Sequence, residues 1–354
     1  MYFVKDREKD VPFMRYIGGK SNLLTDIEQV ISTSTQNVNT IIDIFSGSGA
    51  VSSYLKSKNY NVLGNDIMYF SYVLSRGTTA LNTTPVFDNL GIDNPIDYLN
   101  NLTIENTNIN ISDCFIYQQY SPHDDVVRMY FQNNNAIKID IIRITIEKWK
   151  INNLISDDEY YYLLAALIAA VPYISNITGV YGAYLKHWDA RTYNSLELKI
   201  PEIISTGQAV FYNENCDVLL PAPTMIGDLL YADPPYNSRQ YLPNYHVLET
   251  IARYDNPVIH GVTGMRNYQA QKSDFCTVRG VEGAFRRLIE NAQTRYILIS
   301  YNNEGLLSTE QLTSLCCEYA KINTFQLYEI DYRRYNNAKT TYGGVMEQLY
   351  FFEK

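Results

Sequence analysis

The tetrad Asp233-Pro234-Pro235-Tyr236 closes the apolar run Asp228-Leu229-Leu230-Tyr231-Ala232. Each proline fixes its own φ and biases the residue before it away from helix, so the tetrad forms an extended turn. A carboxylate, a backbone carbonyl and an aromatic ring are thereby held in one small space. An exocyclic amine on a flat base asks for those three things: an anionic acceptor, a second acceptor and a surface to stack on. The competing reading is a plain Pro-Pro turn with Tyr236 as a surface aromatic. Four residues alone do not choose between the two.

The elements around the tetrad must position it. A strand such as Asp228 to Ala232 delivers its last residues to the carboxyl edge of a parallel sheet, where ligands bind in open α/β folds. Nearer the start, Thr40 to Phe45 reads as a strand, Ser46-Gly47-Ser48-Gly49 as a glycine turn, and Ala50 to Lys58 as a helix. Asn61 to Asp66 reads as the next strand, with the acid Asp66 as its last residue. Glycines that let backbone approach a ligand, followed about 20 residues on by an acid for ribose hydroxyls, are the nucleotide-fold arrangement. Ser52 occupies the place of a third glycine, so nothing demands a pyrophosphate. A nucleoside without phosphate, such as S-adenosylmethionine, fits as well or better.

Arg15-Tyr16-Ile17-Gly18-Gly19-Lys20-Ser21 superficially resembles a phosphate-binding loop, but Met14 stands where that motif needs glycine. It is read instead as a glycine turn before a helix built on Leu23, Leu24, Ile27, Val30 and Ile31, with Ser21 as its N-cap. The sheet pattern resumes only at Gln208 to Tyr212, so residues 81–206 are expected to form an inserted, mainly helical domain. Residues 1–80 and 207–354 are expected to form the sheet domain. Within the insertion, Asp140, Arg143, Glu147 and Lys150 recur at helical spacing as a polar stripe with an isoleucine-rich face and Trp149 behind them. Ser156 to Glu159 reads as a capping box for a helix from Tyr160 that Pro172 stops. Further strands are expected at Arg295 to Ser300, Thr324 to Ile330 and Glu347 to Phe352, with helices at Asn244 to Ala252, Glu282 to Asn291 and Ser308 to Tyr319. The architecture is α/β: a mostly parallel sheet with helices on both faces, ending in an antiparallel edge pair.

With 354 residues, 46% of them hydrophobic, the chain is long enough for such a core plus a second lobe. No apolar stretch approaches the length of a membrane span and the start lacks a signal-peptide core, which points to a cytoplasmic protein with no membrane partner. Five scattered cysteines and four histidines suggest no disulfide framework and no metal site. A net charge of −9 argues mildly against a nucleic-acid partner, but charge distribution matters more. Arg279, Arg286, Arg287 and Arg295, and then Arg333, Arg334 and Lys339, are either parts of a basic face or solvated helix charges.

In this motif order the chain resembles the DNA amino-methyltransferases, in particular the Dam-like adenine group. The resemblance runs over nearly the whole chain. It implies a Rossmann-like methyltransferase sheet binding S-adenosyl-L-methionine and an inserted target-recognition lobe. Arg15 to Ser21 looks like the group's N-terminal cofactor motif, which assigns Tyr16, Gly19 and Lys20. Asp43 to Gly49 looks like its glycine loop, assigning Asp43, Phe45, Gly47 and Gly49, and Asp66 like its ribose-binding acid. Asp217 matches the position that holds the cofactor's adenine amine. Asp233, Pro234, Pro235 and Tyr236 look like the catalytic motif, with Asp233 also bordering the cofactor. Two strings, Tyr236 to Tyr241 running on to Tyr245-His246-Val247-Leu248-Glu249, and Asn176 to Lys186, sharpen the likeness to adenine methyltransferases of restriction-modification systems. Such a setting implies double-stranded DNA as substrate and a cognate restriction endonuclease encoded nearby.

Serine at 233 would have pointed to cytosine amines. Carbon-5 methylation needs a Pro-Cys pair, which the chain lacks. Methylation of RNA or of a glutamine amide, and a catalytically idle DNA-binding regulator, are the other readings. Arg239, Arg266, Arg333 and Arg334 either touch phosphates or pair with acids. His246 is read as ordering a loop and Cys276 as a packed thiol.

Overall fold

Strands that lie between two helical layers must be apolar on both faces. β4 (Leu229–Ala232) meets that condition, and β7 (Tyr296–Asn302) does so up to Ser300, with every residue of both buried. They sit in a seven-stranded sheet ordered β3-β2-β1-β4-β7-β9-β8, where β1 is Thr40–Asp43, β2 Asn61–Asn65, β3 Ala209–Tyr212, β8 Gln326–Asp331 and β9 Met346–Glu353. The computed structural model describes residues 16–331 and 346–354. Pairing is parallel from β3 through β7, and β9 runs antiparallel to both β7 and β8. The expected antiparallel pair is thus present, but its last strand lies inside the sheet, bonded on both sides, and of the pair β8 alone is at an edge. A two-residue ribbon, β5 (Ile259–His260) with β6 (Met265–Arg266), stands apart from the sheet.

Successive side chains of a strand point to opposite faces, and the core divides accordingly. Leu229 and Tyr231 pack with α1 (Leu24–Ser34) and α2 (Ala50–Ser57) through Ile27, Ile31 and Leu55. Leu230 and Ala232 pack on the other face with α10 (Val281–Asn291) and α11 (Thr309–Tyr319) through Phe285, Leu288 and Leu312. Ser21 does not cap α1. Leu23 occupies the cap position and has no side-chain acceptor to offer, and its N–H closes a turn on the Lys20 carbonyl at 2.8 Å.

Between α3 (Tyr69–Gly77) and β3 the chain forms α4 (Pro95–Asn100), α5 (Phe115–Tyr120), α6 (Asn133–Ile151) and α7 (Asp157–Ala170), with short 3-10 turns. The capping box at α7 is formed: Ser156 Oγ accepts from Glu159 N–H at 3.3 Å and Glu159 Oε2 accepts from Ser156 N–H at 2.6 Å. The helical segment does not hold its core to itself. Ile139, Ile142, Leu163 and Leu167 share one buried cluster with Phe70 and Val73 of α3 and with Leu248 and Ile251 of α9 (Leu242–Arg253). At Gly77 a Cβ would lie 2.1 Å from the Tyr161 carbonyl oxygen, so α3 and α7 meet backbone to backbone and only glycine fits.

The polar stripe expected from helical spacing lies on α6, and its first two members are not solvent groups. Asp140 and Arg143 are buried. Asp140 accepts the Ile116 and Tyr117 N–H groups at the start of α5, at 2.9 and 2.8 Å, as well as the Tyr254 hydroxyl. Arg143 donates to the Ile251 and Ala252 carbonyls at the end of α9 and to Glu147. Free N–H groups at one helix end and free carbonyls at another need partners, and α6 supplies both from one face.

Candidate active site

The order of strands reverses between β1 and β4: the chain leaves β1 toward β2 and leaves β4 toward β7. Such a switch point opens a crevice at the carboxyl edge of the sheet. Here a cavity of about 240 Å³ lies in that position. Its lining contains Tyr16, Gly19, Lys20, Asp43, Phe45, Gly47, Asp66, Asp217, Asp233 and Pro235. Residues expected from separate stretches of sequence are therefore brought together. Gly49, Pro234 and Tyr236 are not part of the lining. Gly49 caps α2, with φ +80°, and Pro234 is buried behind the wall.

On the β1–β2 side the site is made largely of backbone. Gly47 has φ +52°, and a Cβ there would meet the Tyr16 ring at 3.0 Å. Its N–H donates to Asp66 Oδ2 at 2.8 Å, while Met68 N–H donates to Asp66 Oδ1 at 2.8 Å. Burial pushes the Asp66 carboxyl up to about 7, against the pull of those two N–H groups. Each oxygen keeps a further lone pair, which suits vicinal hydroxyl donors. Asp43 accepts from Ser52 Oγ at 2.6 Å through Oδ2, and its Oδ1 is buried without a hydrogen-bond partner. Burial carries it up to about 6. The serine that replaces a third glycine thus has a job: it holds Asp43. The Tyr16 ring is stacked 4.7 Å from Tyr245, whose hydroxyl accepts from Ile17 N–H at 2.6 Å.

At the far wall, Asp217 on the short helix α8 (Cys216–Leu219) receives Arg287 Nε at 3.0 Å, and Arg287 also bonds Asp274. Phe45 meets Phe275 edge-on, with ring centroids 5.3 Å apart.

The β4 side is built from charge. Lys20 Nζ lies 2.8 Å from Glu347 Oε1 of β9 and 3.0 Å from Asp233 Oδ1, and the lysine is buried. Burial pulls the Lys20 ammonium down, but the carboxylates of Asp233 and Glu347 outweigh it and hold the group well above its ordinary value. Both contacts are ion pairs, and Asp233 Oδ1 is a buried acceptor outside any hydrogen bond. Burial raises Asp233 to about 7, with Lys20 opposing and Glu347 adding to the rise. Tyr236 packs edge-on against Tyr301 and holds Leu306 N–H on its carbonyl at 3.0 Å.

The two long strings are found against each other. His246 is buried, and its Nε2 bonds the Tyr181 carbonyl at 2.9 Å, which requires the proton on Nε2. Burial lowers it to about 4. Tyr181 N–H donates to the Asn244 carbonyl at 2.7 Å, and Asn176 closes its own loop through the Leu185 carbonyl and Asp189 N–H. Glu249 caps α3 by accepting the Tyr69 and Phe70 N–H groups. These residues order loops and helix ends rather than react. Cys276 is likewise packed, its thiol against the Arg239 carbonyl.

The arginines separate. Arg266 is buried and clamps Asp255 with both terminal nitrogens, at 3.0 and 2.6 Å, so its fork is not free for a phosphate. Arg286, Arg287 and Arg295 are paired with Glu282 and Glu318, Asp217 and Asp274, and Glu353 respectively. Arg239 is exposed on the loop after the tetrad. Arg333 and Arg334, like Arg15, lie outside the described residues. Glu347 was read from sequence only as the start of a strand and Ser52 only as the residue in place of a third glycine, and neither was given a role in the site. The signal for Glu347 was available: an acid opening a strand that otherwise runs Leu349 to Phe352.

Residues 16–315 match the family described as D12 class N6 adenine-specific DNA methyltransferase. The chain belongs to that family. It is 43% identical over 96% of its length to the type II methyltransferase M.FokI of Planomicrobium okeanokoites, covering 53% of that protein. The modification methylase StsI of Streptococcus sanguinis is 39% identical over 96% of the chain, which covers 51% of it. The type II methyltransferase M.NlaIII of Neisseria lactamica is 36% identical over 96% of the chain and is covered to 99%. The chain thus spans about half the length of the first two relatives and nearly all of the third.

Proposed function

We propose that this protein transfers a methyl group from S-adenosyl-L-methionine to the N6 amine of an adenine flipped out of duplex DNA, as the modification half of a restriction-modification system. The observation that carries the reading is Asp233 Oδ1, a buried acceptor without a bonded hydrogen at the switch point, beside a cavity whose other carboxylates suit a nucleoside. The cofactor supplies an electrophilic methyl group on a sulfonium. Asp66 would accept its ribose hydroxyls, Asp217 its adenine amine, and the Gly47 backbone and the Tyr16 and Phe45 rings would border it. The orphaned Asp43 Oδ1 fits a cationic donor, such as the ammonium of its amino-acid end.

Asp233 and the Pro234 carbonyl accept the two amine hydrogens, drawing the nitrogen lone pair out of conjugation with the base. Tyr236 stacks on the base and offsets part of the few kcal/mol that flipping costs. Alignment is the main demand, and well-oriented reactants can lower a barrier by about 7–11 kcal/mol. The helical segment 81–206 acts as the recognition domain, its Asn176 to Lys186 loop docked on the helix that follows the tetrad. Arg239 contacts the phosphate backbone there.

Incubation with labelled S-adenosylmethionine and unmethylated duplex DNA, followed by digestion and mass spectrometry of nucleosides, should return N6-methyladenine. Methylated RNA or protein, or cofactor binding with no product, would replace this reading.

A further inference from the structure

Lys20 was assigned to the cofactor, yet its ammonium faces two carboxylates and is buried from solvent. The nearer contact is Glu347, at 2.8 Å, and Glu347 Oε1 also accepts the Ser300 hydroxyl from β7 at 2.7 Å. Ser300, Glu347 and Lys20 therefore form a chain in which the ammonium is tethered at its far side. Asp233 stands 3.0 Å away on the near side, at ion-pair distance, with its Oδ1 outside any hydrogen bond. That geometry matters because a methyl-accepting amine and a lysine ammonium would compete for the same Asp233 oxygen. A buried ammonium left with one carboxylate pairs with it directly, as uncompensated buried charge is costly.

We infer that Glu347, which lies beyond the family match of residues 16–315, is a positioning residue for methyl transfer: it holds Lys20 back from Asp233, so that Asp233 Oδ1 keeps Lys20's charge as a neighbour but remains open to the substrate amine. Glu347 touches neither the substrate nor the cofactor in this role. The inference rests on Asp233 being the amine acceptor. The other ionisable groups facing Asp233 are Asp43 from β1, Tyr231 from β4, and Tyr236 and Tyr241 from the segment after it. Tyr231 and Tyr241 are held far above their ordinary range by burial and stay neutral, and Asp43 is untouched by the test.

The test is single-turnover methyl transfer at saturating cofactor as a function of pH, in wild type, Asp233→Ala, Glu347→Gln and Ser300→Ala, with cofactor binding measured by calorimetry. In Glu347→Gln the negative neighbour of Asp233 is gone and Lys20 turns to Asp233. Both changes favour the ionised aspartate, so the acidic limb of the profile should move to lower pH by about one unit. The plateau rate should fall about tenfold or more, because Oδ1 is now occupied. Cofactor affinity should stay within about threefold, a difference worth less than 1 kcal/mol. Ser300→Ala loosens the same tether and should shift the profile in the same direction by less, and it decides the matter should Glu347→Gln fail to fold. A variant whose rate falls with the acidic limb unmoved, or whose profile matches wild type, overturns the inference and leaves Glu347 a sheet residue. An inactive wild type, or an active Asp233→Ala, removes Asp233 from its role and the inference with it.

Discussion

Asp66, buried, and Asp233, buried at its Oδ1, are both carboxylates at the carboxyl edge of one sheet, and desolvation pushes both up to about 7. Their surroundings differ. Asp66 is gripped by two backbone N–H groups from the glycine turn and the start of the next helix, and its oxygens are fixed before any ligand arrives. Asp233 has a charge for a neighbour and an oxygen with no hydrogen on it. A group that recognises a ground-state ligand gains from being satisfied and rigid. A group that must act on a reacting amine gains from acceptor capacity that only the reactant fills, because interactions made late are the ones that accelerate a step. On the proposed function, one half of the cleft binds and the other half reacts.

Asp233→Ala separates the halves most sharply. Transfer should fall by about 10²- to 10³-fold or more, while cofactor affinity stays near wild type. An equal loss of both would mean that the two halves are one site. Next in size is pH. Amine acceptance requires the ionised form of Asp233, and its ionised fraction rises with pH, so the rate should climb about tenfold per unit below a pH of about 7 and level off above it. Stability runs the other way. Asp43, Asp66 and Asp140 bind protons more tightly folded than unfolded, so the melting temperature of the ligand-free protein should drop as pH rises from about 4 through about 7.

Gly47→Ala attacks the binding half alone. A side chain at φ +52° costs about 1–2 kcal/mol, and its Cβ presses on Tyr16. Calorimetry should show cofactor affinity weakened about 5- to 30-fold, with the transfer rate at saturating cofactor near normal. The smallest effect is expected from Arg239→Ala. Removing one phosphate contact should reduce the salt slope of DNA binding by about one and weaken all sequences alike. An unchanged slope would take Arg239 out of the DNA interface.

The binding half was legible in the sequence because its devices are local. A strand, two glycines and an acid at the next strand's end sit within Asp43 to Asp66, and secondary structure alone carries them to one place. The tetrad was legible for the same reason. What connects it to the rest was not, since Lys20, Ser300 and Glu347 come from three distant elements and only the placement of β9 between β7 and β8 joins them. The surroundings of the α6 stripe were hidden for a related reason. Helical spacing says which residues share a face, but not whether that face meets water or the bare ends of two other helices, and Asp140 and Arg143 meet the latter. Arg266 looked available only because Asp255 could not be seen beside it.

The insertion of β9 also sets an order of events in the life of the molecule. The glycine turn, β1 and β2 can come together as soon as the first part of the chain has left the ribosome. Lys20 then waits for a strand made long afterwards, which must slide between two neighbours already translated. Contacts of such sequence separation form late. The cluster that Lys20, Asp233 and Glu347 form is therefore complete only when the last strand has taken its place between β7 and β8.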